Sequence, residues 1–469
     1  MAALGLLAFC AFEPDAPAPS VLLISIDMLR ADHVSCYGYE RNTTPSIDSM
    51  AASGVRFSQT VSTAPWTLPA HASLFTSLPS SVHGASDAAT TALAPEITTL
   101  AERFSTAGYR TAGFYAGPYL HAAYGLGQGF DVYRYCVDYA EDYGAGDVAE
   151  WGMDAEAQRR SHHGVTNPGV HHAASAWLDS VPEGEPFFAF VHLWDAHYDF
   201  TPPAPYDSMF TDPNYKGFVT GREFFFDPRI HAGMDPADLA QLVGLYDGEI
   251  RWTDAFVGKL LDDLERLGRL ENTIVVLVSD HGTELFDHGE KGHRRTLYDE
   301  ALMVPFVLSG PGVPAGVAVP DQVSLLDVGP TLLELCRLPG ADAGMGRSLV
   351  PYFNVFAMPA PVGAVSELLT GPNQLRSLRT DGSKIVHREP DELYVWFDLD
   401  ADPGERAPST NFDETDAKAL KGGLGVAEQE LGSWREKTPD PVKPGELPAD
   451  IQGTLKANGY TGEDKDEDD

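Results

Sequence analysis

Three long apolar runs constrain the fold of this chain more than any other feature. They read VLLISI (Val21–Ile26), PFFAFVHLW (Pro186–Trp194) and TIVVLVS (Thr273–Ser279). Near-continuous runs of β-branched and aromatic residues are typical of parallel strands that are covered on both faces. Further strands are predicted at Gly54–Ser62, Gly108–Gly117 and Val304–Gly310. A chain with several such runs must place helices on both sides of its sheet.

The clearest helical pattern lies between the second and third apolar runs. Apolar residues recur every three or four positions over Pro236–Leu267, after an N-cap residue, Asp235, and before Gly268. Proline in the first turn and glycine after the last are helix boundary signals. Strands that alternate with helices predict an α/β fold with a mainly parallel, doubly wound sheet. We assign residues 20–350 to this domain.

The pattern changes after about Pro351. Leu375–Arg388 has the form of a hairpin that turns at Asp381-Gly382, and Glu392–Leu399 is predicted to pair with it. Residues 351–435 therefore form a small C-terminal α+β domain with an antiparallel sheet. Residues 436–469 end in GEDKDEDD, and we expect an acidic, disordered tail.

The overall charge excludes some partners. Among 469 residues, 69 Asp and Glu face 32 Lys and Arg, for a formal charge of −37. A surface of this kind does not bind nucleic acid or anionic membranes by charge, so an anionic substrate would need a locally positive or metal-bearing site. The four cysteines include no CxxC pair, so neither a disulfide scaffold nor a zinc ribbon is expected.

The first residues have the composition of a targeting segment. Residues 1–19 are a short apolar run with a Pro/Ala spacer, which we interpret as the remnant of an export signal or as a linker. The expected location is periplasmic, lipoprotein-anchored or extracellular, with the cytoplasm as the alternative. No later stretch of the sequence is long enough to span a bilayer.

Each of the three strongest strands ends in an acidic residue, namely Asp27, Asp195 and Asp280. Two histidines follow closely, His197 and His281. Ligands of an open α/β sheet bind at the carboxyl ends of its strands, so these side chains are expected to converge. Neighbouring buried carboxylates repel each other unless a cation holds them together. Asp and His are suitable ligands, which predicts a divalent metal at Asp27, Asp280 and His281.

Thr67 lies in the segment APWTLPAHASLFTS, two residues before a proline that is predicted to begin a helix. One interpretation is a capping threonine. The other is a nucleophile at the positive end of the helix, whose hydroxyl a neighbouring metal would activate. A second group, Asp195, His197 and His293, is predicted to bind another metal or to act as proton donor and oxyanion clamp. His192 is expected to be a structural residue within its strand.

Several motifs, in order, resemble the sulfatase family of the alkaline phosphatase superfamily. The resemblance begins with VLLISIDMLRADHVSCYGYERNTTPSIDSMAASGVRF and continues through HLWDAHYDFTPPAPYD. It extends over LYDGEIRWTDAFVGKLLDDLERLGRLENTIVVLVSDHGTELFDHGEKGH, TLYDEALMVPFVLSGPG, SLLDVGPTLLEL and FDLDADPGE. These motifs cover nearly the whole stretch from Val21 to about Pro408.

The resemblance implies a large α/β domain, a smaller C-terminal sheet domain and a divalent metal beside the nucleophile. It assigns metal ligation to Asp27, Thr67, Asp280 and His281, and the nucleophile to Thr67. Further catalytic positions implied by the resemblance are His71, where an arginine is usual, His197, His293 and Lys384, a lysine from the C-terminal domain. Asp195 and Arg30 are candidate substrate-binding residues, with a surface ion pair as the alternative for Arg30.

Two positions depart from the pattern of the sulfatases proper. TLPAH replaces the CxPxR-type motif whose Cys or Ser is oxidised to formylglycine, and Met28 replaces a metal-binding aspartate. Both changes resemble members with an unmodified threonine, which include phosphodiesterases, phosphonate hydrolases and phosphotransferases. The expected function is metal-dependent hydrolysis of sulfate or phosphate esters, with Ca²⁺, Mg²⁺, Mn²⁺ or Zn²⁺ as cofactor and a small-molecule, glycan or lipid ester as substrate. The alternatives are a phospho-headgroup transferase and an inactive protein that binds sulfated or phosphorylated polymers.

Overall fold

The computed structural model describes residues 17–136, 165–354, 363–370, 374–449, 451–452 and 455. Residues 1–16 of the predicted signal or linker and residues 456–469 of the predicted tail lie outside this range. None of the described helices combines the length and the apolar character that crossing a membrane requires.

The larger domain is built on a mixed sheet. Its strands are β1 (Ser20–Ile26), β2 (Val55–Val61), β3 (Arg110–Tyr115), β4 (Val132–Tyr135), β5 (Phe187–Leu193), β6 (Thr273–Ser279), β9 (Met303–Ser309) and β10 (Val317–Ser324). A separate short ribbon joins β7 (Glu284–Leu285) to β8 (Lys291–Gly292). Within the described residues, the strand order of the main sheet is β10-β2-β9-β6-β1-β5-β3-β4. Each strand pairs with its neighbour in parallel, except that β9 runs antiparallel to β2 and β6.

Helices cover both faces of this sheet. In chain order the described helices are α1 (Pro45–Ala52), α2 (Thr67–Thr76), α3 (Ser80–His83), α4 (Leu100–Thr106), α5 (Asn167–Ser180), α6 (Pro236–Arg266), α7 (Asp299–Leu302), α8 (Val328–Leu335) and α9 (Thr415–Arg435). Alternate residues of β1 face opposite ways: Val21 and Leu23 join the core under α2, α4 and α8, while Leu22 and Ile24 join the core under α1, α5 and α6. The predicted doubly wound, mainly parallel sheet is confirmed.

The long helix follows its boundary signals. Asp235 caps α6 by accepting a hydrogen bond from the backbone N–H of Ala237 at 2.8 Å, and Gly268 follows the helix with φ of +64°. The helix in the segment APWTLPAHASLFTS starts earlier than predicted. It begins at Thr67 instead of Pro69, and Trp66 is its N-cap residue. Proline is accommodated within the first turn, where its missing N–H is not needed.

The smaller C-terminal sheet is antiparallel, as predicted. Its order is β11 (Ala364–Leu368), β12 (Leu375–Arg379), β13 (Ser383–Arg388) and β14 (Leu393–Asp398). α9 covers one face, where Leu420 and Leu424 pack with Ile385 and Trp396. β11 was not predicted from the sequence, and it adds an outer strand beside the predicted hairpin.

We predicted a disordered tail for residues 436–469, but residues 436–449 are ordered in the structure. The backbone of Val442 exchanges two hydrogen bonds with Ala92 of the large domain, at 2.7 and 3.1 Å, and Gly445 donates to the carbonyl of Ala123 at 2.9 Å. Ile451 is also buried in the large core. Residues 436–449 are therefore packed, because their backbone finds partners on the large domain.

One buried carboxylate joins two helices on the same face of the sheet. Asp254 of α6 accepts hydrogen bonds from the backbone N–H groups of Ser46 and Ile47, at 2.9 to 3.1 Å, in the first turn of α1. Thr44, the N-cap residue of α1, makes no side-chain capping bond. Asp254 therefore caps α1 from a different helix.

We expect Asp254→Ala to lower the free energy of unfolding by about 2–3 kcal/mol, because it removes charge-assisted hydrogen bonds and leaves buried donors without acceptors. Asp262→Ala, on the exposed side of the same helix, is the matched control and should change stability by less than about 0.5 kcal/mol. Urea unfolding followed by circular dichroism measures both. Equal stability of the two variants would contradict the capping role.

Candidate active site

The register of the central strands brings two aspartates to the same level. Ile26 of β1 is paired with Ser279 of β6, so the next residues, Asp27 and Asp280, emerge side by side at the carboxyl edge of the sheet. Both side chains are buried, with exposures of 0% and 1%. His281 follows Asp280, and one ligand atom from each of Asp27, Asp280 and His281 lies within 4.8 Å of the others. The predicted metal ligands therefore converge. We call these three residues the aspartate–histidine cluster.

The cluster contains carboxylate oxygens that the described protein leaves unsatisfied. Asp27 Oδ1 and Asp280 Oδ2 are buried without a hydrogen-bond partner among the described residues. Asp280 Oδ1 accepts from the backbone N–H of His281 at 2.9 Å. Burial raises the pKa of both carboxyl groups, and the charge of Asp27 raises that of Asp280 further. A divalent cation fits this place, because it would pair the buried charges and occupy the orphaned oxygens.

The orientation of His281 also suits a ligand. Its Nδ1 lies 2.8 Å from the carbonyl oxygen of Gly282, and since a carbonyl can only accept, Nδ1 carries the proton. The lone pair is then on Nε2, which lies 3.4 Å from Asp280 Oδ2 and 3.6 Å from Asp27 Oδ1. Metal-binding histidines usually donate the N–H that does not face the metal to a backbone carbonyl or carboxylate, as Nδ1 of His281 does here.

Thr67 reaches the same cluster. It is the first residue of α2 and its hydroxyl does not cap the helix, so the capping interpretation is wrong. Thr67 Oγ1 lies 3.4 Å from both Asp27 Oδ2 and His281 Nε2. The side chain is 4% exposed. The first residue of α2 therefore places its hydroxyl next to the aspartate–histidine cluster.

His71 supports this arrangement from one turn further along α2. Its Nδ1 donates to the carbonyl of Thr67 at 2.9 Å, and its Nε2 lies 3.0 Å from Ser25 Oγ. Burial lowers its pKa to about 4, so the ring is neutral at neutral pH. Both nitrogens are engaged within the protein, and the ring holds the backbone of Thr67 in place. The catalytic role that the resemblance implies for His71 stays a prediction.

His192 is part of the site, contrary to the expectation that it serves only its strand. Its Nε2 lies 3.3 Å from Asp27 Oδ2. The ring is fully buried, which lowers its pKa to about 4. Gly117, beyond β3, leaves the space, because a Cβ there would lie 2.9 Å from His192 Cε1. A lone imidazole two residues before the end of an apolar run was the signal in the sequence.

His192 also forms a second candidate metal group with His71 and Asp280. This group fits a cation less well than the aspartate–histidine cluster does. The Nδ1 of His71, which faces Asp280 at 3.5 Å, carries the proton that it donates to the carbonyl of Thr67. It therefore has no lone pair to offer on that side.

His197 and His293 line the cluster on its outer side. The ring of His293 lies 4.6 Å from that of His281 and 5.4 Å from that of His197, measured between centroids. His197 Nδ1 donates to the carbonyl of Tyr198 at 2.8 Å, which leaves the lone pair on Nε2. Burial lowers the pKa of His197 to about 4 and that of His293 well below its ordinary value. The structure thus brings together both predicted histidines and the cluster.

Asp195 has a different role from the predicted one. Its Oδ1 accepts from the backbone N–H and the hydroxyl of Thr166, at 2.6 and 2.7 Å, and its Oδ2 accepts from Trp252 Nε1 at 2.7 Å. The backbone N–H of Asn167 lies 3.2 Å from both oxygens. Asp195 therefore caps α5 with both oxygens, so its expected roles in substrate binding and in a second metal site are wrong.

Arg30 is likewise used within the protein. Its guanidinium donates to Asp32, Asp287 and the carbonyl of Thr283, with all of its nitrogens engaged at 2.7 to 3.3 Å. The side chain is 6% exposed. The ion-pair alternative is therefore correct in a buried form, and the substrate-binding assignment is wrong, because these contacts occupy all five N–H donors.

Lys384 lies between the two domains. Its ammonium is fully buried on β13 and contacts Asp299 Oδ1 at 2.9 Å and Glu405 Oε1 at 2.8 Å. Within the described residues, no contact joins this ammonium to Thr67 or to the aspartate–histidine cluster. Two carboxylates hold Lys384 at the domain junction, and the catalytic role that the resemblance implies for it stays a prediction.

Arg294 is a positive residue near the site that the sequence analysis missed. Its backbone N–H donates to the carbonyl of Pro65 at 3.1 Å, and its guanidinium lies 4.3 Å from the centroid of the Trp66 ring. Trp66 directly precedes Thr67, so this charge is held close to the start of α2. The signal was the pair of arginines that follows His293 in GHRRT.

Comparisons with known proteins agree with this fold. The sulfatase family model matches residues 19–338. An arylsulfatase of Clostridium perfringens is 27% identical over 441 residues, covering 84% of this chain and 91% of that protein. The phosphonate monoester hydrolase of Agrobacterium radiobacter has a TM-score of 0.71 at 22% identity, covering 91% of this chain and 100% of that one. A protein solved with its substrate D-glucosamine-2-N,6-O-disulfate also has a TM-score of 0.71, at 20% identity, covering 90% and 99%.

The mixed sheet, the small antiparallel domain and these relatives define an α/β ester hydrolase. The chain belongs to the sulfatase family. Its membership agrees with the resemblance of its motifs and does not by itself decide the ester that is cleaved.

We expect Asp195→Ala to lower the free energy of unfolding by about 3 kcal/mol, since it leaves several buried donors without an acceptor. The folded fraction should keep kcat and KM within a few-fold of wild type. Asp179→Ala, at the exposed far end of α5, is the control. A variant of unchanged stability with a strongly raised KM would instead show that Asp195 binds substrate.

Proposed function

We propose that this enzyme hydrolyses sulfate or phosphate esters with the unmodified hydroxyl of Thr67 as its nucleophile. The observation that supports this most strongly is the position of that hydroxyl, 3.4 Å from Asp27 Oδ2 and 3.4 Å from His281 Nε2. A threonine cannot be oxidised to the formylglycine of the sulfatases proper, so the alcohol itself must react.

Asp27, Asp280 and His281 would hold the divalent cation, with Thr67 Oγ1 as a further ligand. When bound, such a cation lowers the pKa of the hydroxyl and neutralises charge on the non-bridging oxygens of the ester. Two carboxylates and one imidazole are compatible with Mn²⁺ or Zn²⁺, and carboxylates also with Ca²⁺ or Mg²⁺. The orphaned oxygens of Asp27 and Asp280 support this assignment.

In the first step, Thr67 Oγ1 bonds to sulfur or phosphorus while the bond from that atom to the leaving oxygen breaks. The hydroxyl proton needs an acceptor, and the leaving oxygen needs a donor. His197 is the candidate for both roles, because Nδ1 carries the proton of its neutral ring and Nε2 is therefore the basic nitrogen, and the ring lies 5.4 Å from that of His293. A histidine that first accepts and then returns a proton balances the step.

The second step differs from that of a formylglycine enzyme. A formylglycine hydrate carries a second hydroxyl on the same carbon, which can expel the sulfate, whereas a threonine ester has none. Water must therefore attack sulfur or phosphorus and release Thr67 with its proton restored. The covalent Thr67 ester is expected to accumulate whenever this attack is slower than its formation.

The two alternatives make different demands on the site. A protein that only binds sulfated or phosphorylated polymers has no need of a hydroxyl between Asp27 and His281. A headgroup transferase shares the first step and would show turnover that depends on an alcohol acceptor. We therefore place hydrolysis first, with small-molecule, glycan and lipid esters as candidate substrates. The disulfated glucosamine bound by one fold relative makes sulfated sugars a sensible first test.

We expect Thr67→Ala to reduce kcat by about 10⁴-fold or more at unchanged thermal stability, because the attacking atom is lost. Thr67→Ser should keep a measurable rate, since it keeps a hydroxyl on the same carbon and loses only the methyl group of threonine. Thr76→Ala, at the other end of α2, is the control for the helix. Wild-type rates in Thr67→Ala would exclude this mechanism.

The assay should use matched p-nitrophenyl sulfate, phosphate, phosphate diester and phosphonate, each with and without an added alcohol acceptor. Rates that are independent of the acceptor support hydrolysis, while an acceptor requirement supports transfer. The ratio of the four rates identifies the ester class. Absence of turnover after loading with each of the four cations would favour the binding protein.

A further inference from the structure

A third group of potential metal ligands shares no residue with the aspartate–histidine cluster or with the group of His71, His192 and Asp280. It consists of Glu284 on β7, His288 in the following loop and Glu300 on α7, and one ligand atom from each lies within 4.8 Å of the others. We propose that these three residues form a second divalent-cation site, which links the catalytic domain to the C-terminal domain. This site does not depend on the reaction proposed for Thr67.

Glu284 is the first observation that points to a ligand. Its side chain is 1% exposed. Oε1 accepts a hydrogen bond from the Thr296 hydroxyl at 2.6 Å, whereas Oε2 is buried with no hydrogen-bond partner among the described residues. A buried carboxylate oxygen without a donor is costly, so a cation beside it would remove a substantial penalty.

His288 is oriented as a ligand by the C-terminal domain. Its Nε2 lies 3.1 Å from the carbonyl oxygen of Glu405, which can only accept, so Nε2 carries the proton. In the neutral ring the lone pair is then on Nδ1, which lies against Glu300 Oε1, and a direct hydrogen bond to this oxygen requires a second proton on the ring. The ring is stacked on Tyr298 with 3.6 Å between centroids and 3° between planes, which fixes its direction. This is the support expected of a metal-binding imidazole.

The negative charges of Glu284 and Glu300 favour a bound cation. One oxygen of Glu284 lies within 4.8 Å of one oxygen of Glu300, so the two negative charges repel each other unless a positive charge lies between them. The buried ammonium of Lys384 is close to this region, but it is bound by Asp299 and Glu405. Without a cation, His288 must be protonated to contact Glu300, and Glu284 Oε2 still has no partner. A cation satisfies all three residues at once.

The ligand set selects the kind of ion. Two carboxylates and one imidazole suit Mn²⁺ or Zn²⁺, whereas Ca²⁺ and Mg²⁺ prefer oxygen ligands alone. Water would complete the coordination, as in other sites with three protein ligands. His293 lies between Glu284 and Glu300 in the chain, so an ion bound by these two residues and His288 would restrain the loop that carries His293. Because His288 also bonds the carbonyl of Glu405, this loop would be held against the C-terminal domain.

The test is the number of ions bound per chain after loading with Mn²⁺ or Zn²⁺, measured by plasma mass spectrometry and native mass spectrometry. We expect two ions in wild type, one in Glu284→Gln and in Glu300→Gln, and one in Asp280→Asn. Glu284→Gln combined with Asp280→Asn should bind none. Glu290→Gln, an exposed neighbour on the same loop, is the control and should bind two.

Stability gives a second readout that does not require activity. Excess Mn²⁺ should raise the Tm of Asp280→Asn, and this increase should be absent when Glu284→Gln is added, whereas Ca²⁺ should have little effect. If Glu284→Gln fails to fold, His288→Asn makes the same comparison. The proposal is wrong if Glu284→Gln and Glu300→Gln bind as many ions as wild type, or if Asp280→Asn binds none. Retention of two ions by Asp280→Asn would contradict the active-site cation and leave this site standing.

Discussion

The repulsion between two buried carboxylates is the constraint on which the active site depends. Asp27 and Asp280 end adjacent parallel strands in register, and neither carboxyl group is exposed by more than 1%. Burial alone would favour their neutral forms. The proposed cation would reverse that preference, and the Thr67 hydroxyl and the Nε2 of His281 reach the same place. The register of β1 and β6 thus determines where the chemistry can occur.

Buried charges in this protein fall into two groups according to what satisfies them. Asp195 and Asp254 accept from the first N–H groups of helices, and Lys384 is held by carboxylates, so their charges are balanced within the chain. Asp27 and Asp280 instead keep oxygens without donors among the described residues. The orphaned oxygens of Asp27 and Asp280 support the proposed cation because they occur together with His281 and the Thr67 hydroxyl, since an orphaned oxygen alone, as in buried Glu249, does not mark a site.

Much of this arrangement could be predicted from the sequence. The apolar runs predicted β1, β5 and β6, and because parallel strands end at one edge, they also predicted that Asp27 and Asp280 meet. Asp195 also ends a strand of this sheet, but its oxygens are taken by donors of α5 and Trp252, which lie far away in the chain. The capping of Asp195 and the burial of His192 depend on tertiary contacts that leave no local pattern.

The most direct measurement is the position of a bound cation. Crystals soaked in Mn²⁺ or Zn²⁺ would be measured at the absorption edge of the metal, so that anomalous scattering locates the ion without interpretation of geometry. We predict a peak in contact with Asp27, Asp280 and His281 and within coordination distance of Thr67 Oγ1. A fully loaded crystal with no peak among these four residues would contradict it.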